Sequence, residues 1–230
     1  MRFLLLTSLL LGLSFAGRAQ RRVEKQLPLT SGQALRLKLE LADSIVVKTW
    51  DRPEAQVIAL VSINDGQDDD AYALNTETTP DTVAFVADIP DLDSLARPLP
   101  DKTSHKVMYS RRNGQAWGVT VDIRYEVFLP KGVPLALETI NGSLVIPPTG
   151  APLRVHSISG KVDLFVPRNQ GTDVTAKTVM GVLYTDFPFE PVREDGLYRI
   201  AGQENALTIN GGGIPLTLET VTGDVLIHQY

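Results

Sequence analysis

Four stretches in the second half of this 230-residue chain align with one another without a gap. They are Leu135-Ala-Leu-Glu-Thr-Ile-Asn-Gly142-Ser-Leu-Val-Ile146, Leu153-Arg-Val-His-Ser-Ile-Ser-Gly160-Lys-Val-Asp-Leu164, Val174-Thr-Ala-Lys-Thr-Val-Met-Gly181-Val-Leu-Tyr-Thr185 and Leu216-Thr-Leu-Glu-Thr-Val-Thr-Gly223-Asp-Val-Leu-Ile227. Read in columns, they specify geometry. Positions seven and five before the glycine are apolar in all four. Three before it stands a hydroxyl (Thr139, Ser157, Thr178, Thr220), and two before it a β-branched residue (Ile140, Ile158, Val179, Val221). Two and four after the glycine come Leu144 and Ile146, Val162 and Leu164, Leu183 and Thr185, Val225 and Ile227, which the alternation places inward.

The step from five before the glycine to two before it is odd, so a period-two strand cannot run through it with both residues inside. The chain is expected to bulge or turn there, with the glycine supplying the permissive backbone. The glycines are 18, 21 and 42 residues apart. Strand, corner, strand at that spacing is what one coil of a β-solenoid requires. The fold class read from the sequence is therefore all-β. The C-terminal half is expected to form a β-solenoid, like a single-stranded parallel β-helix, joined to an additional irregular β region. An antiparallel β-sandwich is the alternative. The hydroxyls would superimpose as a ladder, and the column Glu138, His156, Lys177, Glu219 would face solvent with unlike neighbours. Between Gly181 and Gly223 two registers stay open. Gly202 is 21 residues from both, whereas Thr208-Ile209-Asn210-Gly211 repeats Thr139-Ile140-Asn141-Gly142 letter for letter.

The first half carries the same strand signals. Leu35, Leu37, Leu39 and Leu41 alternate; strands are predicted at 45–50, 57–63, 72–78 and 82–88; and Asn113-Gly114 marks a hairpin between Lys106–Arg112 and Gln115–Leu129. Fifteen prolines and eighteen glycines at short intervals leave no room for long helices. Residues 89–104 read as a surface loop, and about 65–122 as an irregular insertion into a single domain over 20–230, with the repeats at about 130–230.

Residues 1–19 have the form of an export signal. Arg2 precedes the apolar run Phe3 to Ala16, which is too short to span a bilayer, and Gly17-Arg18-Ala19 offers a cleavage site. Cleavage would leave 20 basic and 27 acidic residues, a net charge of −7, which argues against a nucleic-acid partner. The basic residues Arg21, Arg22 and Lys25 fall at what is expected to be a frayed terminus. There is no cysteine, hence no disulfide, thiolate nucleophile or lipid-accepting cysteine. The expected location is extracytoplasmic: periplasm, cell surface or secreted.

The stretches Tyr125-Glu-Val-Phe-Leu-Pro-Lys-Gly-Val-Pro-Leu-Ala-Leu-Glu-Thr-Ile-Asn-Gly-Ser-Leu and Asn210-Gly-Gly-Gly-Ile-Pro-Leu-Thr-Leu-Glu-Thr-Val-Thr-Gly-Asp-Val resemble the bacterial exported putative-adhesin families of unknown function. These include the GIN-type domains with a Gly-Ile-Asn signature. Ser44-Ile-Val-Val-Lys-Thr-Trp-Asp-Arg-Pro-Glu-Ala-Gln-Val is similar to the opening coil of that family, with Asp43-Ser44 where a glycine is commoner. The resemblance covers about 35–64 and 123–230. It implies a solenoid-like β fold outside the cytoplasm and carries no chemistry.

The residues themselves predict neither a catalytic nor a cofactor-binding nor a metal site. His105, His156 and His228 lack partners at metal-ligand spacing. No nucleophile elbow, phosphate loop or His-Glu-x-x-His occurs, and the triple glycine 211–213 leads into a strand rather than a helix. Asp65, Asp68, Asp69 and Asp70 offer oxygens for calcium but without EF-hand spacing. For polysaccharide cleavage, Asp163 and Lys161 could share a face with Lys177, but no other repeat extends the cluster. A membrane barrel ending on Tyr230 is excluded by strands of six or seven residues. The expected function is a non-enzymatic envelope interaction module, a putative adhesin, whose partner is a surface component, glycan or protein. The alternative is a glycan-binding or polysaccharide-cleaving protein with its site in 65–122.

Overall fold

The computed structural model describes residues 20–99, 106–112, 114–188 and 203–230. The export signal, His105, Asn113 and Gly202 lie outside the described residues. Eighteen strands follow in chain order. They are β1 (Arg21–Pro28), β2 (Ala34–Lys38), β3 (Ser44–Trp50), β4 (Glu54–Ile63), β5 (Ala73–Thr78), β6 (Thr82–Asp88), β7 (Arg97–Pro98), β8 (Lys106–Arg112) and β9 (Gln115–Pro130). The second half contributes β10 (Leu135–Thr139), β11 (Ser143–Ile146), β12 (Leu153–Ser157), β13 (Val162–Val166), β14 (Thr172–Thr178), β15 (Leu183–Thr185), β16 (Gln203–Ile209), β17 (Ile214–Thr220) and β18 (Val225–Gln229). Two short 3₁₀ turns are the only helical segments among the described residues, and no helix there is long and apolar enough to cross a membrane.

The strands form two mixed sheets. The first runs β1-β4-β9-β3-β11-β13-β18-β15, with β7 and β8 paired to β9. The second runs β16-β14-β17-β12-β10-β2-β6-β5. The six strands β9, β3, β11, β13, β18 and β15 are parallel, as are β6, β2, β10, β12, β17 and β14 in the other sheet. Antiparallel strands flank them: β4 and β1 on one sheet, β5 and β16 on the other. Alternate side chains of both sheets enter one continuous core, in which Leu35, Leu137, Val155, Leu218, Ile45, Leu144 and Val162 are buried to 1 % exposure or less.

The gap-free alignment is the hydrogen-bonding register. Leu135 lies opposite Leu153, Leu153 opposite Leu216, and Leu216 opposite Val174. Across the corner, Leu144 faces Val162, Val162 faces Val225, and Val225 faces Leu183. The rungs are not stacked in chain order, however. The last repeat, β17–β18, sits between β12–β13 and β14–β15, and the first, β2–β3, sits between β6–β9 and β10–β11. That order puts Glu219 between His156 and Lys177 in the outward polar column, where His156 Nδ1 lies 3.4 Å from Glu219. Serial winding would have set His156 directly against Lys177.

The corners refine the expected geometry. Alternation continues unbroken through the hydroxyl, so Thr139, Ser157, Thr178 and Thr220 are buried, and the β-branched residue after each faces out. Ile140, Ile158 and Val179 are each about two-fifths exposed. The hydroxyls bond the corner backbone rather than one another: Thr139 Oγ1 donates to the Leu39 carbonyl (2.7 Å) and Thr178 Oγ1 to the Gly223 carbonyl (2.9 Å), while Gly181 N–H donates to Thr178 Oγ1 (2.9 Å). The glycines stand in one row in the order 142, 160, 223, 181. A Cβ at Gly160 would collide with the Gly142 carbonyl, one at Gly223 with the Gly160 carbonyl, and one at Gly181 with the Gly223 carbonyl. Only Gly142 and Gly160 have left-handed φ (110° and 115°), so close approach of neighbouring rungs, more than backbone freedom, explains the column.

Three expectations for the first half change. Arg21, Arg22 and Lys25 lie on an ordered edge strand that pairs with β4 over eight residues, and Arg21 donates to the Asp69 carbonyl (2.6 Å). The region 65–122 contributes β5, β6, β7, β8 and the first part of the long β9 to the sheets. The opening coil carries one extra residue at its corner, since Lys38 faces Glu138 whereas Ser44 faces Ser143. Between Gly181 and Gly223 the register set by Gly202 lies outside the described residues, and the one set by Asn210-Gly211 does not apply. β16 pairs antiparallel with β14, and the left-handed Asn210 and glycines 211–213 carry the chain across the start of β14 into β17. Gly213 N–H donates to Asp173 there (2.9 Å).

Candidate functional site

Where a second-sheet strand passes straight into its first-sheet partner, the corner takes only a few residues, as 140–142 do between β10 and β11. The β6–β9 rung is different, because residues 89–114 intervene. The turn at Ala42 of the neighbouring β2–β3 rung lies beside it. Asp43 fastens β9 beside that place: Asp43 N–H donates to the Ile123 carbonyl (2.8 Å) and Ile123 N–H to the Asp43 carboxylate (3.0 Å).

A cleft of about 90 Å³ opens over Leu41 at this position, walled by Ala87, Ile89, Leu92 and Ile123 and by the rings of Tyr72 and Tyr125. Glu40 and the exposed Asp88 are the carboxylates among its described lining residues. Tyr72 and Tyr125 are 4 % and 1 % exposed, with ring centroids 6.5 Å apart. Burial pushes the Tyr72 hydroxyl up to about 12. It also holds that of Tyr125 well above the ordinary tyrosine range, with the neighbouring Tyr72 phenol adding to the effect. The two phenols face each other, both oxygens are closed to solvent, and neither finds any other partner among the described residues. Buried hydroxyls normally find a partner, since leaving one without costs about 1–3 kcal/mol.

The second cluster lies on the outer face of the first sheet. Lys161 pairs with Asp163 at 2.7 Å, His228 Nε2 lies 3.2 Å from Asp163, and His228 Nδ1 lies 3.6 Å from Asp186. The imidazole also stacks on Phe165 at 4.9 Å. Lys177 belongs to the other sheet and does not join Asp163 and Lys161, so the expected face with Lys177 is not formed. His228 and Asp186 take its place, brought alongside by the parallel register of β13, β18 and β15. The cluster ties the short edge strand β15 to β18, because Gln229 N–H also donates to Asp186 (3.1 Å). Held between the two carboxylates, the histidine fastens β15 to β18.

The acidic loop is internally bonded. Asp69 accepts from Ile63 N–H (2.7 Å), and Asp68 accepts from Asn64 (2.5 Å) and Arg97 (2.8 Å). Among the described residues no group of three or more His, Asp or Glu is arranged to hold a metal ion. Sequence reasoning missed Tyr72, Tyr125, His228 and Asp186. Extending the repeat alignment by one or two columns would have set Phe165, His228 and Asp186 side by side. Nothing in the sequence shows that Tyr72 meets Tyr125.

No family model matches the chain, and no curated protein sequence matches it. Among solved structures it is similar to a putative cell adhesion protein from Clostridium sporogenes, at 11 % identity and a TM-score of 0.50, over 92 % of this chain and all of that one. A putative adhesin from Bacteroides fragilis also matches, at 11 % identity and a TM-score of 0.21, over 91 % of this chain and 97 % of that one. The Clostridium likeness establishes a shared all-β fold.

Proposed function

We propose that the chain is a non-enzymatic interaction module of the cell envelope, an exported adhesin whose parallel centre is a β-solenoid of the GIN type. The observation that carries this reading is the stacked register. Four repeats superimpose residue for residue, with buried hydroxyls and abutting glycines fixing each corner. Such a stack is a rigid ribbed surface, stabilised by about 1.5–3 kcal/mol for each fully buried Leu, Ile or Val. Its sequence is devoted to geometry, and the buried Asp163 carboxylate is paired with Lys161 and His228. The shared fold with a putative cell adhesion protein supports the same role.

The test uses residues 20–230 immobilised against intact cells and envelope fractions, together with a reducing-sugar release assay on polysaccharides. The module reading expects saturable retention of an envelope component without turnover. Turnover of any polysaccharide refutes it.

A further inference from the structure

We propose that the corner ridge is a dimerisation surface, packing antiparallel against the same ridge of a second copy about a two-fold axis. This goes beyond the module reading and does not depend on it. The ridge is the β-branched column, in stack order Ile140, Ile158, Val221 and Val179, followed in each rung by an uncharged residue: Asn141, Ser159, Thr222 and Met180. Backbone amides hold each corner to the next. Ser159 N–H donates to the Ile140 carbonyl (2.8 Å), Thr222 N–H to that of Ile158 (2.9 Å) and Met180 N–H to that of Val221 (2.8 Å). Seven large apolar side chains are exposed among the described residues, and five of them, Ile140, Ile158, Val179, Met180 and Val182, fall on this ridge at 39–72 % exposure. Exposed apolar residues are ordinarily scattered, and the largest patch on a typical monomer, about 300–600 Å², is often functional. The ridge falls short of the about 800 Å² that each partner of a standard interface buries, so the dimer is expected to be weak.

Two properties name a second copy as the occupant. The first is period. Rungs repeat about every 4.8 Å, and a ribbed surface matches along its length a surface with the same repeat, which another copy supplies. The second is charge. On the second-sheet flank the outward column runs Glu138, His156, Glu219, Lys177; on the first-sheet flank it runs Ser143, Lys161, Asp224, Val182. A two-fold axis between the β12–β13 and β17–β18 rungs sets each column against its own reverse. Glu138 then meets Lys177 of the second copy, His156 meets Glu219, and Lys161 meets Asp224, each pair occurring twice. His156 donates an N–H to a carboxylate in either tautomer. Within their intrachain pairs the side chains of Glu138, His156, Lys161 and Glu219 stay 36–51 % exposed, so they can reach across the rim. Other arrangements lose the match. Parallel ridges would set Glu219 against Asp224 and His156 against Lys161. Serial winding of the rungs would have set Glu138 against Glu219 and His156 against Lys177. The observed rung order is therefore the one that makes the ridge complementary to itself, and an isologous contact of this kind closes at two copies.

Sedimentation of the purified protein from micromolar to near-millimolar concentration tests the assignment, and a reversible monomer–dimer equilibrium is expected. Ile158→Lys places a charge beside the axis on both copies and should weaken association by about a hundredfold or more. The site is exposed, so the variant should keep its fold, as far-ultraviolet circular dichroism would show. Glu138→Lys and Lys177→Glu each set like charges face to face and should weaken association by about tenfold. Combining them re-forms the opposite pair with its signs exchanged and should restore the wild-type constant. A protein that stays monomeric over the whole range overturns the proposal and leaves the ridge to a different partner. A dimer unmoved by Ile158→Lys places the interface elsewhere and overturns it equally. A double exchange that associates no more tightly than either single variant refutes the antiparallel register. Retention of envelope material is read in a separate assay, so failure here leaves the module reading standing.

Discussion

Placing a methyl group at a turn glycine and at the corner glycines separates two costs that the structure assigns to different positions. Gly32 has a φ of 90° and open space where a Cβ would go, so Gly32→Ala meets only the left-handed backbone penalty of about 1–2 kcal/mol. Gly223 lacks a left-handed φ, but a Cβ there would collide with the Gly160 carbonyl oxygen and lie 2.7 Å from its carbon. A comfortable carbon contact needs about 3.5 Å. Relief requires the β12–β13 and β17–β18 rungs to part locally. That stretches three backbone hydrogen bonds: Val221 N–H to Ser157 (3.2 Å), Thr222 N–H to Ile158 (2.9 Å) and Val162 N–H to Asp224 (2.9 Å). At about 1 kcal/mol each, the loss is about 3 kcal/mol, a large part of a typical stability of about 5–15 kcal/mol. Gly160→Ala carries both costs, about 4–5 kcal/mol. Urea unfolding of the three variants, read as midpoint shifts at constant slope, should rank them Gly32 < Gly223 < Gly160. If Gly223→Ala were no more harmful than Gly32→Ala, the corners would not abut, and the stacked register would be wrong.

Three further outcomes follow from other contacts. Because the protein has no cysteine, engineered pairs report rung order cleanly. Ile158→Cys with Val221→Cys should oxidise to a disulfide, while Ile158→Cys with Val179→Cys should not, since adjacent strands lie about 4.8 Å apart and the second pair is two rungs apart, beyond disulfide reach; non-reducing electrophoresis reads the result, and the reverse pattern would establish serial winding. Tyr72 should make stability fall with alkali. Below pH 10 both folded and unfolded chains keep its proton, but between 10 and about 12 only the folded chain does, so about 3 kcal/mol is lost over that window and Tyr72→Phe should flatten the slope in denaturation series at pH 9–12. Thr178→Val should cost about 1–3 kcal/mol in chemical denaturation, because it deprives Gly181 N–H of its buried acceptor while keeping the volume; an unchanged midpoint would mean the hydroxyl column packs rather than bonds.

The repeat was legible because parallel in-register strands bring identical columns into contact, and each column then answers one physical demand. Leucines at 135 and 137 fill the core, a hydroxyl at 139 satisfies corner backbone, and a glycine at 142 lets the next rung approach. Ile140 faces out although its β-branched side chain suggests burial. β-Branched character is equally the signature of an extended, half-exposed residue on a pleated surface. The cleft over Leu41 was not legible at all. Tyr72 and Tyr125 are 53 residues apart, and they meet only because β5, β6 and β9 extend the two sheets past the first repeat. No local pattern encodes that pairing.

Stacking order was hidden for a related reason. Columns alone determine which residues can face one another, and every rung is compatible with every other. What distinguishes neighbours is the end of the stack. β14 is followed on the second sheet by the antiparallel strand β16, and the chain from β16 must cross β14 to reach β17. Asn210 and the three glycines after it allow that crossing, with Asp173 of β14 receiving the Gly213 amide from above. The last repeat thereby enters between its predecessors and places Glu219 beside both His156 and Lys177. A parallel edge that would otherwise stay open on the second sheet is closed by the chain itself, which is how a repetitive stack avoids adding further copies of its own strands. On the first sheet the corresponding edge is β15, only three residues long and tied down through Asp186 and His228, too short to template a partner strand.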